Sequence, residues 1–117
     1  MLYTEELLEH YRHPQNFRAM KSASHQITLR NPLCGDVITL FVQVTKGRVE
    51  DASFQGEGCA ISIASASVFT EYCKGKSTEE LQLIDEHRMM KIVGIEVSPG
   101  RIKCLLLPLE ALKRMLA

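Results

Sequence analysis

The stretch Val37-Ile38-Thr39-Leu40-Phe41-Val42-Gln43-Val44, followed by Lys46-Gly47 and then Arg48 to Gln55, decides the fold. β-Branched residues crowd its first half, and Ile38, Leu40, Val42 and Val44 share one face at the two-residue period of a strand. Lys46-Gly47 is a turn signal, so Arg48 to Gln55 reads as the returning arm of a hairpin. Upstream, His25-Gln26-Ile27-Thr28-Leu29-Arg30 alternates polar and apolar residues, as a half-buried strand does. The break between these two segments is Asn31-Pro32-Leu33-Cys34-Gly35-Asp36. Three consecutive short strands most simply make an antiparallel meander.

Beyond Gly56-Glu57-Gly58-Cys59 the period becomes helical. Ala60 to Lys74 is rich in Ala and Ser, and Ile61, Ala64, Val68 and Tyr72 follow a helical stripe. Small side chains suit a helix lying close on a sheet, and Gly75 has the position of a C-terminal cap. Ser77 is placed to cap the next helix, with Glu80 at the capping-box position. Asp85 to Val93 reads as a short helix, and Ser98-Pro99-Gly100 breaks the chain. A last helix is expected from about Leu105 to Ala117, where Leu105, Leu109, Leu112 and Leu116 share a side. Pro108 would then fall in its first turn, where N–H groups have no partners. At the other end, helical spacing from Thr4 places Leu7, Leu8 and Tyr11 together until Pro14 stops the helix near His13. The fold class expected is α+β, a three-stranded antiparallel sheet covered by helices.

Length and charge narrow the function. The chain has 117 residues, enough for one compact domain over 1–117. Fourteen Lys and Arg balance fourteen Asp and Glu, so no basic field exists to hold a nucleic acid. The uncharged run from Gly58 to Thr70 is Ser-rich and too short to span a bilayer. Glu5 and Glu6 stand where a secretory leader carries basic residues, which points to the cytoplasm. There, Cys34, Cys59, Cys73 and Cys104 are expected as free thiols, metal ligands or redox groups rather than as disulfides. No Cys-x-x-Cys pair occurs, so a shared site must be assembled by folding.

Three of the four fall at element boundaries. Cys34 lies in the link between two strands, and Cys59 and Cys104 each immediately precede an expected helix. The positive end of a helix favours thiolate, the form that binds metal and attacks sulfur. Gly35 and Gly58 flank two of these cysteines, and Asp36 follows Cys34 closely enough to present a carboxylate beside it. Three thiolates and a carboxylate form a plausible four-coordinate set for zinc or for iron in a cluster. The alternative is that each cysteine is a small buried apolar residue, a reading that suits Cys73, late in a helix beside Tyr72. His10, His13, His25 and His87 read as surface or packing residues.

The sequence resembles the U-type iron–sulfur cluster scaffold family, with its IscU, SufU and NifU amino-terminal branches. The elements that match are Asn31-Pro32-Leu33-Cys34-Gly35-Asp36, then Gly58-Cys59 with the Ser-rich run to Ser67, then Lys103-Cys104 before a Leu-rich helix. The opening Tyr3-Thr4-Glu5, His13-Pro14-Gln15-Asn16-Phe17 and Lys74-Gly75-Lys76-Ser77 match as well. This resemblance implies a single IscU-like domain that accepts sulfur from a cysteine desulfurase, adds iron, holds a transient [2Fe–2S] cluster and passes it to apo-proteins. It implies Cys34, Cys59 and Cys104 as cluster ligands, Cys104 as first persulfide acceptor, and Asp36 as a ligand to zinc or incoming iron. A hard carboxylate among soft thiolates would keep such a site exchangeable. Tyr3 matches a residue linked to homodimer formation.

Two departures matter. Lys103 stands where the IscU branch has His; it cannot coordinate metal while protonated, but its charge could stabilise a neighbouring thiolate or persulfide. A basic residue there resembles SufU, yet the interval between Cys59 and Cys104 lacks the insertion of that branch. Val97-Ser98-Pro99-Gly100-Arg101 also replaces the chaperone-recognition run of the IscU branch. Three functions therefore compete: an assembly scaffold, a zinc-dependent sulfurtransferase partner of a desulfurase, and a small domain built around a permanent zinc.

Overall fold

The computed structural model describes residues 5–32, 35–94 and 97–117. Along the chain run α1 (Glu5–Arg12), β1 (His25–Asn31), β2 (Asp36–Thr45), β3 (Arg48–Glu57), α2 (Ala60–Cys73), α3 (Thr78–Gln82), α4 (Glu86–Val93) and α5 (Ile102–Leu116). A single 3₁₀ turn, Pro99–Arg101, leads into α5. The strands form one antiparallel sheet in the order β1-β2-β3, the meander expected from their patterning.

Register follows from which side chains must face the core. Leu40 lies opposite Ile27 on one side and Phe54 on the other, while Val42 lies opposite His25 and Ala52. Thus Ile27, Ile38, Leu40, Val42, Ala52 and Phe54 share the face on which the helices pack. A slip of one residue would turn this whole set to the opposite face. Lys46 and Gly47 both have left-handed backbones, with φ of 53° and 77°, which is the two-residue turn that matches strand twist.

Helices α2 and α5 cover the sheet, and Leu105, Leu109 and Leu112 of α5 complete the core with Ile61 and Phe69 of α2. Full burial of a side chain such as Phe69 contributes about 1.5–3 kcal/mol. α2 is buried nearly all round because α1 closes its other side, where Ser67 Oγ meets His10 Nδ1 at 2.7 Å. On the opposite face of the sheet Phe41 and Ser53 are also buried, together with Met20 of the link between α1 and β1. That link is anchored by Arg18 N–H to the Phe54 carbonyl and by Ser24 N–H to the Val42 carbonyl.

The helix ends follow the expected chemistry. Ser77 Oγ accepts from Glu80 N–H, and Asp85 accepts from Arg88 N–H. Lys74 caps α2 in an extended conformation, and Gly75 turns the chain at φ +83°. One helix departs from expectation. α5 begins at Ile102, so Cys104 lies inside its first turn rather than before it, and Pro108 is its seventh residue. Proline there gives no N–H to the Cys104 carbonyl. Hydroxyls from α2 serve this stretch instead: Ser65 Oγ donates to the Leu105 carbonyl at 2.6 Å, and Ser62 Oγ lies 3.4 Å from that of Cys104.

Candidate metal centre

Three chain segments converge at one corner of the sheet. β2 opens with Asp36, β3 closes beside it, and Val37 pairs with Glu57, so Gly58 is brought against the Asp36 side chain. A Cβ on Gly58 would lie 2.7 Å from Asp36 Oδ1, so only glycine lets the carboxylate rest there. Cys59 follows as the N-cap residue of α2 in an extended conformation. Its N–H donates to Asp36 Oδ1 at 3.0 Å, and its Sγ is 3.6 Å from Oδ2. From above, the first turn of α5 brings down Cys104.

One carboxylate oxygen of Asp36 and the sulfurs of Cys59 and Cys104 all lie within 4.8 Å of one another. Asp36 and Cys104 are each 2% exposed, whereas Cys59 is half-buried. The spacing suits a small metal ion. Zinc bonds of about 2.3 Å to sulfur and about 2.0 Å to oxygen, set tetrahedrally, put sulfur and oxygen about 3.5 Å apart. The 3.6 Å between Cys59 Sγ and Asp36 Oδ2 already meets that edge. Soft sulfur with a hard oxygen is also a donor set that zinc and iron share.

Cys34 lies outside the described residues, as does Tyr3. Gly35, which follows Cys34, turns at φ +74° and donates its N–H to the Asn31 carbonyl. Lys103 is exposed and lines a groove with Ile84, Asp85, Glu86, Leu106 and Glu110. Its side chain therefore occupies a different face of α5 from the buried Cys104. Cys73 is buried at the far end of α2, about 20 Å of helix from Cys59, and burial pushes its thiol well above the ordinary range. His10 bonds Ser67, and none of the four histidines joins the cluster among the described residues.

Two further residues line the corner without having been singled out from sequence. Ser62 is 0% exposed, donates to Asp36 Oδ2, and has its Oγ 3.6 Å from Cys59 Sγ. Asn31 directs its Nδ2 at Cys104 Sγ from 3.9 Å. The spacing carried a signal for Ser62: it stands three residues after the N-cap, where a helix turns its side chain back toward the cap.

The profile of the family described as "NifU-like N terminal domain" matches residues 2–117. The chain belongs to this family. Among curated NifU-like relatives, the iron–sulfur cluster assembly scaffold protein IscU 1 of Archaeoglobus fulgidus is 34% identical over 113 residues, covering 97% of this chain and 73% of that protein. The zinc-dependent sulfurtransferase SufU of Bacillus subtilis is 35% identical over 133 residues, covering 99% and 90%. A crystal structure of a putative iron–sulfur cluster assembly scaffold protein for the SUF system, from Fervidobacterium islandicum AW-1, superposes with a TM-score of 0.83. It is 27% identical, with 98% of this chain and 96% of that chain covered. The α+β fold with its three-stranded sheet is thus that of the NifU-like domain. No helix among the described residues is long and apolar enough to cross a membrane.

Proposed function

We propose that the protein is a scaffold on which a [2Fe–2S] cluster is built as cargo and from which it is handed to apo-proteins. The observation that carries this reading is the convergence of Asp36, Cys59 and Cys104 within 4.8 Å, from three segments far apart in sequence. Cys34, two residues before Asp36, completes the ligand set. Its partners are a cysteine desulfurase and apo iron–sulfur proteins, it works in the cytoplasm, and Tyr3 contributes to a homodimer.

The roles follow from environment. Cys104 is the persulfide acceptor: its thiolate attacks the outer sulfur of a desulfurase persulfide, that S–S bond breaks, and the desulfurase cysteine leaves as thiolate. At 2% exposure Cys104 must first be uncovered, which needs an outward movement of the first turn of α5. Each sulfur so received requires two electrons from an external donor to become sulfide. Cys59, half-buried at the mouth, and Cys34 anchor the cluster with Cys104. Asp36 supplies the exchangeable oxygen ligand that receives iron and lets the cluster go. Lys103, on the outer face of α5, meets the partner and stabilises charge when that turn opens.

A second reading is favoured by the tetrahedral fit of the sulfur–oxygen edge: a zinc-bound sulfurtransferase, as the name of the Bacillus relative states for that protein. Against it, that alignment runs over 133 residues, so the relative has residues with no counterpart in these 117. The Archaeoglobus alignment needs only 113.

Anaerobic incubation with iron, cysteine and a cognate desulfurase, followed by visible absorption and transfer to an apo-ferredoxin, separates the readings. A transferable cluster supports the scaffold. Desulfurase turnover raised by the zinc-loaded protein, without a cluster, supports the transferase. Zinc that resists exchange, with neither activity, leaves a permanent structural metal. Cys104→Ser should abolish persulfide loading, and sulfur retained on Cys34 in that variant would overturn the assignment of the acceptor.

A further inference from the structure

Ser62 is the buried group at this corner for which the ligand set has no use. Its Oγ carries one proton and faces three acceptors: Asp36 Oδ2, Cys59 Sγ at 3.6 Å and the Cys104 carbonyl at 3.4 Å. At 0% exposure, water does not compete for that proton. In the metal-free arrangement the carboxylate takes it, because a charged acceptor outbids a neutral one. The other oxygen of Asp36 is held by Cys59 N–H at 3.0 Å. Both carboxylate oxygens are therefore engaged by donors before any metal arrives.

We propose that Ser62 is a positioning residue that weakens Asp36 as a ligand: its hydroxyl donates to Asp36 Oδ2 when the site is empty and turns to the Cys104 carbonyl when Oδ2 takes a metal. The inference rests on the reading of Asp36 as a metal ligand. The second position is the Cys104 carbonyl, already 3.4 Å from Ser62 Oγ, and proline at 108 contributes no N–H to compete for it. The switch needs only rotation about the Ser62 Cβ–Oγ bond, with no heavy atom displaced. It makes metal release easier, because the departing ion is replaced at Oδ2 by a hydrogen bond already in reach.

The test uses zinc as probe and its release into excess chromogenic chelator as readout. Ser62→Ala should slow release about tenfold, since the hydrogen bond lost is one to a charged group. Ser62→Thr, which keeps the hydroxyl, should restore the wild-type rate. In an Asp36→Ala background, Ser62→Ala should have no effect. Release from Ser62→Ala as fast as, or faster than, wild type would overturn the proposal, for then Ser62 merely supports the ligand, as supporting shells ordinarily do. A slowing that persists without Asp36 would overturn it equally. Should Ser62→Ala not fold, Pro108→Ala decides: its restored N–H competes for the Cys104 carbonyl, so zinc release should quicken, and an unchanged or slower rate refutes the switch. Zinc rates need no cluster, so a wild-type protein that binds zinc but assembles nothing removes the scaffold reading and leaves this one standing.

Discussion

Gly58→Ala isolates the geometry on which the corner depends. Gly58 does not occupy the left-handed region, so alanine meets no backbone penalty there; the conflict is with one side chain. The new Cβ would lie 2.7 Å from Asp36 Oδ1 and 2.9 Å from Cγ, against ordinary contact at 3.4 Å or more. Asp36 must therefore retreat by about 0.7 Å, which exceeds the roughly 0.2 Å latitude of a metal–ligand distance. It cannot retreat freely, being 2% exposed and bonded to Cys59 N–H and Ser62 Oγ. Loss of the Cys59 bond in a buried setting costs about 1–3 kcal/mol of stability. Zinc affinity should fall about 10- to 100-fold, the usual effect of disturbing a ligand's support. Urea unfolding of the metal-free protein and chelator competition measure the two effects separately. Gly100→Ala is the control, since nothing lies within 4 Å of its added Cβ and its backbone is unstrained. If Gly58→Ala binds zinc like wild type, Asp36 is not a ligand and the corner has been misread.

Other outcomes follow from single residues. Cys73, with its thiol pushed up by burial, should resist iodoacetamide at pH 8 in the native protein while Cys59 is alkylated, as peptide mapping by mass spectrometry would show. Ser77→Ala removes the oxygen that accepts from Glu80 N–H and should lower stability by about 1 kcal/mol in urea titration. At Asp51, burial raises the carboxyl but is outweighed by bonds from Arg18 and Ala52 N–H and by the charges of Arg18 and Lys74, so it titrates below its ordinary 3.8. Its stabilisation is therefore complete above the unfolded value and lost as pH falls through the lower folded one. With Arg18 and Asp51 both over a third exposed, Asp51→Asn should cost under about 1 kcal/mol at pH 7, and nothing once both states are protonated.

The sheet was legible because its signal is local. Alternation in 25–30 and 37–44 and the Lys46-Gly47 turn each reside within a few residues, and they predict the strands to within two positions. The start of α5 was not, and the reason lies in another helix. The Leu stripe alone places the start near Leu105, and Pro108 then fits the first turn, so nothing in the sequence asks for an earlier start. In the fold it sits deeper because Ser62 and Ser65 of α2 attend the carbonyls of Cys104 and Leu105. The Ser and Ala content of α2 licenses a close approach, but nothing within that helix says where its hydroxyls donate. Cys59 and Asp36 can be singled out from their places at bends, while the glycine contact that brings them together depends on the pairing of Val37 with Glu57.

A site assembled this way has a consequence for how it opens. Asp36 and Cys59 belong to one unit: the strands β2 and β3 fix both, and the Cys59 N–H to Asp36 bond ties them. Cys104 belongs to another, the first turn of α5, held to that unit near the site by side chains such as Asn31 and Ser62 rather than by strand pairing. Pro108 lies four residues on and removes one helical bond, the one to the Cys104 carbonyl. Movement of that turn would also loosen Leu105, which follows Cys104 within it, while Leu109 and Leu112 stay packed in the core. Exposure of the buried thiol then costs the contacts of that one turn, Leu105 included, and closure returns it to the two fixed donors.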